Sequence, residues 1–184
     1  MQNGRNKKKT ELCIKTKNKN YEIIQQLKNN GFEYKQSYMT FESYFTHLQN
    51  VKNKQMLIEN SVAIKYNQNT KQSYMFCEEN NLENTNKIIC TQIENSKIAK
   101  QILQNSGLFV WCEITCTNTI FEKQDIEINL CTVSEVGEFL QIKSAQQNSQ
   151  QLIEFIKSIN IKIEKNYNAN IALEYFKIKY EKTI

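Results

Sequence analysis

The sequence predicts an α+β domain built on an antiparallel sheet with one apolar and one polar face. Three observations predict it. Segments with a two-residue hydrophobic period alternate with segments of helical period from residue 10 onward. The order strand, helix, several strands occurs twice before a helical tail. In the strands the residues opposite the apolar positions are charged or amide-bearing, as in a sheet that packs on one side only.

The elements follow in order. Glu11-Leu12-Cys13-Ile14-Lys15 reads as a strand with Leu12 and Ile14 on one face. Residues 19–30 read as a helix carrying Ile23, Ile24 and Leu27, with Gly31 at its end. Aromatic residues crowd 32–46 as a strand or hairpin, and the polar stretch 47–60 reads as a loop. Strands at 61–66 and 72–78 flank the turn Asn67-Gln68-Asn69-Thr70. The second cycle has a strand at 87–92 and a helix at 94–105 with Ile98, Ile102 and Leu103 on one side. Strands then cover 108–121, 125–133 and 137–143, and helices close the chain at 148–159 and 167–178. On 125–131 the apolar Ile126, Ile128 and Leu130 leave Asp125, Glu127, Asn129 and Cys131 opposite; Leu140 and Ile142 likewise oppose Gln141 and Lys143, and Val62 and Ile64 oppose Ala63 and Lys65. Such a sheet is either half-solvated or curled into a barrel with a polar lumen, and the alternation fits both.

Composition narrows the function classes. The 184 residues match one ordinary domain, 40% of them are hydrophobic, and the mean hydropathy is −0.62. No apolar run approaches the ~20 residues of a membrane-spanning helix, and none follows Met1, so neither membrane insertion nor a secretory leader is expected. The net charge is +5, of which Arg5, Lys7, Lys8 and Lys9 supply four. Residues 1–9 read as a basic, flexible, solvated tail able to touch an acidic partner or a membrane surface, and residues 10–184 as a single domain. The body lacks the basic stripe of a nucleic-acid binder, so nucleic acid is not indicated apart from that tail. Arg5 is the only arginine, so any anion site in the body rests on lysines acting as point charges.

Six cysteines without a leader predict free thiols in a reducing intracellular compartment, cytoplasmic or nuclear. They contain no C-x-x-C pair, and Cys112 and Cys116 form a single C-x3-C. His47 is the only histidine and is expected to be structural, which leaves no His-rich metal site and no spare histidine for a Ser–His–Asp triad.

Four segments resemble the CYTH family, the triphosphate tunnel fold of class IV adenylyl cyclases and thiamine triphosphatases. Glu11-x-Cys13-x-Lys15 is similar to the opening E-x-E-x-K, and Val62-Ala63-Ile64-Lys65 to L-R-I-R. Cys116-x-Asn118 followed by Phe121 stands where the family has K-x-R-x-x-Y, and the segment from Ile128 to Lys143 resembles I-x-L-D-x-V-x-x-L-G-x-F-L-E-I-E. The resemblance, spanning about residues 10–178, implies an eight-stranded antiparallel closed barrel with flanking helices. In active relatives, lumen cations hold a triphosphate while carboxylates hold Mg2+ or Mn2+.

The apolar frame of those motifs is kept and their chemistry is depleted. Acids are replaced at Cys13, Cys131, Gln141 and Lys143, and cations at Ala63, Cys116 and Asn118. The resemblance leaves Lys15, Lys65 and Lys143 as lumen cations and Glu11 and Glu127 as lumen acids, a net +1 against the roughly −4 of a free triphosphate. The expectation is a pseudoenzyme with no catalytic residues, no metal and no cofactor, serving as a binding or structural subunit with protein partners. The alternatives are a divergent Mg2+- or Mn2+-dependent triphosphatase using Glu11, Glu127 and a neighbour such as Glu113, less favourably a nucleotidyl cyclase, and a module holding a small anion on its three lysines. Cys13, Cys112, Cys116 and Cys131 are read either as zinc ligands or, in preference, as small neutral filler, because buried thiols commonly behave as small hydrophobes.

Overall fold

Alternation of apolar and polar residues builds eight strands, which the computed structural model joins into one antiparallel sheet. The structure describes residues 10–52, 61–79, 87–164 and 170–180, so the expected tail at 1–9 lies outside them, as does most of the loop after residue 52. The strands are β1 (Thr10–Lys15), β2 (Glu33–Thr46), β3 (Val62–Asn67), β4 (Ser73–Glu79), β5 (Lys87–Ile93), β6 (Phe109–Lys123), β7 (Ile126–Val133) and β8 (Gly137–Ser144). The helices among the described residues are α1 (Asn20–Asn29), α2 (Ser96–Asn105), α3 (Ser149–Ser158) and α4 (Ile171–Tyr180), with a 3-10 turn at Leu48–Lys52. The aromatic stretch at 32–46 is one long strand rather than a hairpin. No helix among the described residues is long and apolar enough to cross a membrane.

The sheet order is β1-β8-β7-β6-β2-β3-β4-β5. This is the predicted eight-stranded antiparallel architecture, and among the described residues β1 and β5 end the order. Part of the outer edge of β1 is already used: the Glu164 N–H donates to the Lys15 carbonyl at 2.9 Å, and Thr16 bridges Ile163.

Two compact units emerge, one comprising residues 1–37 and 117–170, the other 38–116 and 171–184. In the first, Leu12 and Ile14 of β1, Ile128 and Leu130 of β7, and Leu140 and Ile142 of β8 pack with Ile23 and Leu27 of α1 and Leu152 and Ile156 of α3. At ~0.8 kcal/mol per buried methylene, this cluster is the main source of that unit's stability. The helices start and stop where local chemistry demands. Asn148 caps α3 by accepting the Gln151 N–H at 3.0 Å while the Gln151 side chain accepts the Asn148 N–H. Gly31, at φ +77°, ends α1 by letting the Phe32 N–H reach the Leu27 carbonyl at 3.0 Å.

In the second unit the buried side chains include Phe45, Ile64, Trp111, Cys112, Ile114 and Cys116. The Tyr44 ring lies 5.7 Å from that of Trp111, whose indole N–H donates to Ser61 at 2.8 Å. Helix α2 is amphipathic in sequence yet has no buried residue, and Ile98 and Ile102 are exposed.

Candidate functional site: two polar strand faces

In the first unit, strand register arranges the odd-numbered residues of β1, β8 and β7 into rows on the face opposite the core. Glu11 stands opposite Lys143, which stands opposite Glu127. The next row is Cys13, Gln141 and Asn129, and the third is Lys15, Phe139 and Cys131. The sequence-predicted Glu11, Lys15, Glu127, Gln141 and Lys143 therefore share one face, together with Cys13 and Cys131.

The first row is an ion pair with a second carboxylate in register. Lys143 Nζ lies 3.3 Å from Glu11 Oε1, and both side chains are about half exposed. The second row is an amide network: Asn129 Nδ2 donates to Gln141 Oε1 and to Asn118 Oδ1, both at 2.9 Å. Asn129 is buried, and its Oδ1 has no hydrogen-bond partner among the described residues. The third row is dry, since Phe139 and Cys131 are almost wholly buried.

The second unit holds Lys65, Ala63, Cys112 and Cys116, and a residue that sequence reasoning missed. Glu42 of β2 is the register partner of Lys65 on β3. Its Oε1 lies 2.5 Å from Lys65 Nζ, and its Oε2 accepts the Tyr44 hydroxyl at 2.8 Å. Thr40 Oγ1 donates to the same carboxylate at 3.5 Å. The Glu42 side chain is only 8% exposed, against 34% for Lys65. Burial lowers the Lys65 ammonium pKa, but the charge and hydrogen bond of Glu42 outweigh it, so the pKa is raised overall. Burial, then the Glu42 charge, pushes the Tyr44 hydroxyl well above its ordinary value. The period-two run Thr40, Glu42, Tyr44, Thr46 was the available signal, hidden by the surrounding aromatics.

The structure places three further groups. Glu113 is exposed, with its parity on β6 opposite to that of the buried Cys112 and Cys116, and it bonds Ser43 at 2.8 Å and Lys100 at 3.3 Å. It therefore belongs to a polar clamp that ties β6 to β2 and α2. For the less favoured zinc reading of Cys13, Cys112, Cys116 and Cys131 there is no support: among the described residues no three His, Cys, Asp or Glu side chains could hold a metal ion together. All six cysteines are thiols outside any disulfide, and Cys112 donates weakly to the Ala172 carbonyl at 3.9 Å. His47 is exposed.

The divalent ion of active CYTH proteins does not suit the first face. Mg2+ demands oxygen ligands, and the position in register between Glu11 and Glu127 is occupied by the Lys143 ammonium. The neighbouring row offers amides and a thiol in place of carboxylates.

No family model matches the sequence, and no curated protein matches it. Solved structures do match. A conserved hypothetical protein from Pyrococcus furiosus is similar over 91% of this chain and 99% of its own, at 17% identity and a TM-score of 0.70. A chain of the Schizosaccharomyces pombe Mediator head module is similar over 88% of this chain and 98% of its own, at 8% identity and a TM-score of 0.60. An adenylyl cyclase candidate from Hippeastrum, with a dominant triphosphatase activity, is similar over 91% and 94%, at 10% identity and a TM-score of 0.57. The fold of this chain matches the CYTH-like triphosphate tunnel fold.

Proposed function

We propose that this protein is a tunnel-fold protein without triphosphate chemistry, acting as a binding or structural subunit of a protein assembly. The observation that carries the reading is the row Glu11–Lys143–Glu127, in which an ammonium stands in register between the carboxylates that a divalent ion would need. A lysine there repels the ion and neutralises one of its ligands, so neither phosphoryl polarisation nor water activation is supported. The structural likeness to a chain of the Mediator head module supports the subunit half of the reading, since that chain is part of an assembly.

The second reading, a divergent metal-dependent triphosphatase, is favoured by the likeness to the Hippeastrum protein. Assay of the purified chain with tripolyphosphate, thiamine triphosphate and ATP in Mg2+ or Mn2+ separates the two. The expected result is no metal-dependent turnover. Turnover that disappears in Glu11→Gln or Glu127→Gln would establish the triphosphatase instead. Recovery of the natural protein in a complex of fixed stoichiometry is the expected positive result for the subunit role.

A further inference from the structure

Past α3 the chain turns back onto the outer edge of β1. Asn160, at φ +61°, closes the helix, and the Ile161 N–H reaches the Ile156 carbonyl at 3.3 Å. Residues 161–164 then run antiparallel to residues 15–17, with Thr16 opposite Ile163. The Lys17 N–H donates to the Lys162 carbonyl and the Glu164 N–H to the Lys15 carbonyl, both at 2.9 Å.

Two features of this short strand are left unsatisfied. Its register sets Lys17 directly opposite Lys162, like charges across one ladder step, which is destabilising. Both side chains are exposed, Lys157 of α3 lines the same groove, and no carboxylate lines it. The segment's own carboxylate, Glu164, stands opposite Lys15 instead. Alternation also turns the Ile163 N–H and carbonyl away from β1, where neither has a hydrogen-bond partner among the described residues. The groove beside them encloses about 530 Å³ and includes Ile161 and Ile163 in its lining.

We infer that this groove is the docking site for an extended acidic segment of a partner protein, which adds as a strand along Ile163 and sets its carboxylates against Lys17 and Lys162. Charge complementarity selects the sign of the occupant, and the unpaired backbone selects a peptide. A phosphate ester or a lipid headgroup would match the lysines but supplies no N–H and carbonyl at strand spacing. None of the groove's residues belongs to the segments that resemble the CYTH motifs. The inference deepens the subunit reading and rests on it in taking the occupant to be part of another protein.

The test is fluorescence anisotropy of a blocked, labelled hexapeptide alternating glutamate and valine, titrated with the full chain. It is expected to bind saturably, and at least about tenfold more weakly when Lys17→Glu and Lys162→Glu are combined, since like charge then faces like. Both lysines are exposed, so the variant is expected to fold. Lys71→Glu with Lys97→Glu makes the same change of net charge on other exposed lysines and is expected to leave binding as it was. The hexapeptide with glutamine for glutamate, or with a fully N-methylated backbone, is expected to lose at least about tenfold in affinity. No binding of the acidic peptide, equal weakening in the control variant, or equal binding of the N-methylated peptide overturns the inference.

A second measurement on the unaltered chain reads the backbone directly. Saturation with the acidic peptide is expected to slow hydrogen exchange of the Ile163 amide, and unchanged exchange there would mean that no strand is added. A single-stranded oligonucleotide that binds as tightly as the peptide, and whose binding is lost in the same lysine variant, would reassign the groove to nucleic acid and overturn the inference. Tripolyphosphate hydrolysis by the unaltered chain would refute the non-catalytic reading alone, since peptide binding is measured without any turnover.

Discussion

Lys143 and Lys65 are both strand lysines facing a glutamate across one ladder step, and their surroundings make them physically different. The Lys143–Glu11 pair has 40% and 56% of its side chains exposed; in the Lys65–Glu42 pair the figures are 34% and 8%. Water and salt compete for the first, leaving it ~0–1 kcal/mol of net stabilisation. In the second, the carboxylate is dry and has Tyr44 as a further donor, so removing its counter-ion strands a charge. The same pair of residue types is a surface contact in one unit and part of the packed interior in the other. Neither lysine stands as an open cation for a triphosphate.

The largest effect that sharpens this contrast is expected at Lys65. Lys65→Met removes the ammonium and leaves Glu42 buried, so the unfolding free energy should fall by roughly 2–4 kcal/mol, the lower part of the usual range because Lys65 is itself one-third exposed. Urea unfolding measures it, and a loss under about 0.5 kcal/mol would place both pairs in the surface class.

Alkaline pH gives the next effect. The raised pKa of Tyr44 means that, above about pH 10, the unfolded chain releases this proton while the folded chain retains it. The unfolded state then binds fewer protons, so stability falls as pH rises. The raised pKa of Lys65 acts in the same direction: its contribution is present below the unfolded value and lost as pH climbs through the folded one. Tyr44→Phe should therefore flatten the alkaline loss of thermal midpoint relative to the unaltered chain. Parallel curves would mean that Tyr44 is not held protonated by Glu42 and burial.

Most of the fold was legible because the strands are half-buried and their alternation is strict. Leu12, Ile14, Ile128, Leu130, Leu140 and Ile142 fixed the faces of β1, β7 and β8, and a one-residue slip would invert them all. The lateral order of strands was not legible, because periodicity shows which face of a strand is buried and not which strands pair. Glu42 was missed because both faces of β2 carry aromatic residues, which blurs a two-residue period. Helix α2 shows a different limit. Its apolar stripe was readable, but Ile98 and Ile102 are exposed in the folded unit, so amphipathicity predicted the helix and not its burial. Pairing inside the candidate faces was illegible for a simpler reason: register between strands far apart in sequence decides which glutamate meets which lysine.

A smaller effect is expected when Lys143 is exchanged for an acid. Lys143→Glu places three carboxylates in one row with Glu11 and Glu127, where like charges directly opposite destabilise by roughly 0.2–1 kcal/mol each. The variant should unfold at lower temperature and recover on addition of Mn2+, whereas the unaltered chain should show no such response. Mn2+ stabilisation of the unaltered chain that is lost in Glu11→Gln would show that Lys143 does not keep a divalent ion out.

The smallest effect should come from Lys143→Met, which is the direct counterpart of Lys65→Met. The Glu11 carboxylate left behind is more than half exposed, so water replaces the lost partner and no buried charge remains. The stability change should stay within about 1 kcal/mol and shrink further in molar salt, because the Debye length falls from ~10 Å at 0.1 M to ~3 Å at 1 M. Screening should leave the Lys65→Met loss largely intact, since ions cannot enter the dry side of the Glu42 pair. Urea unfolding of both variants at the two salt concentrations therefore isolates burial as the variable. Equal salt sensitivity in the two variants would mean that Glu42 is wet in solution, and the distinction between the two lysines would collapse.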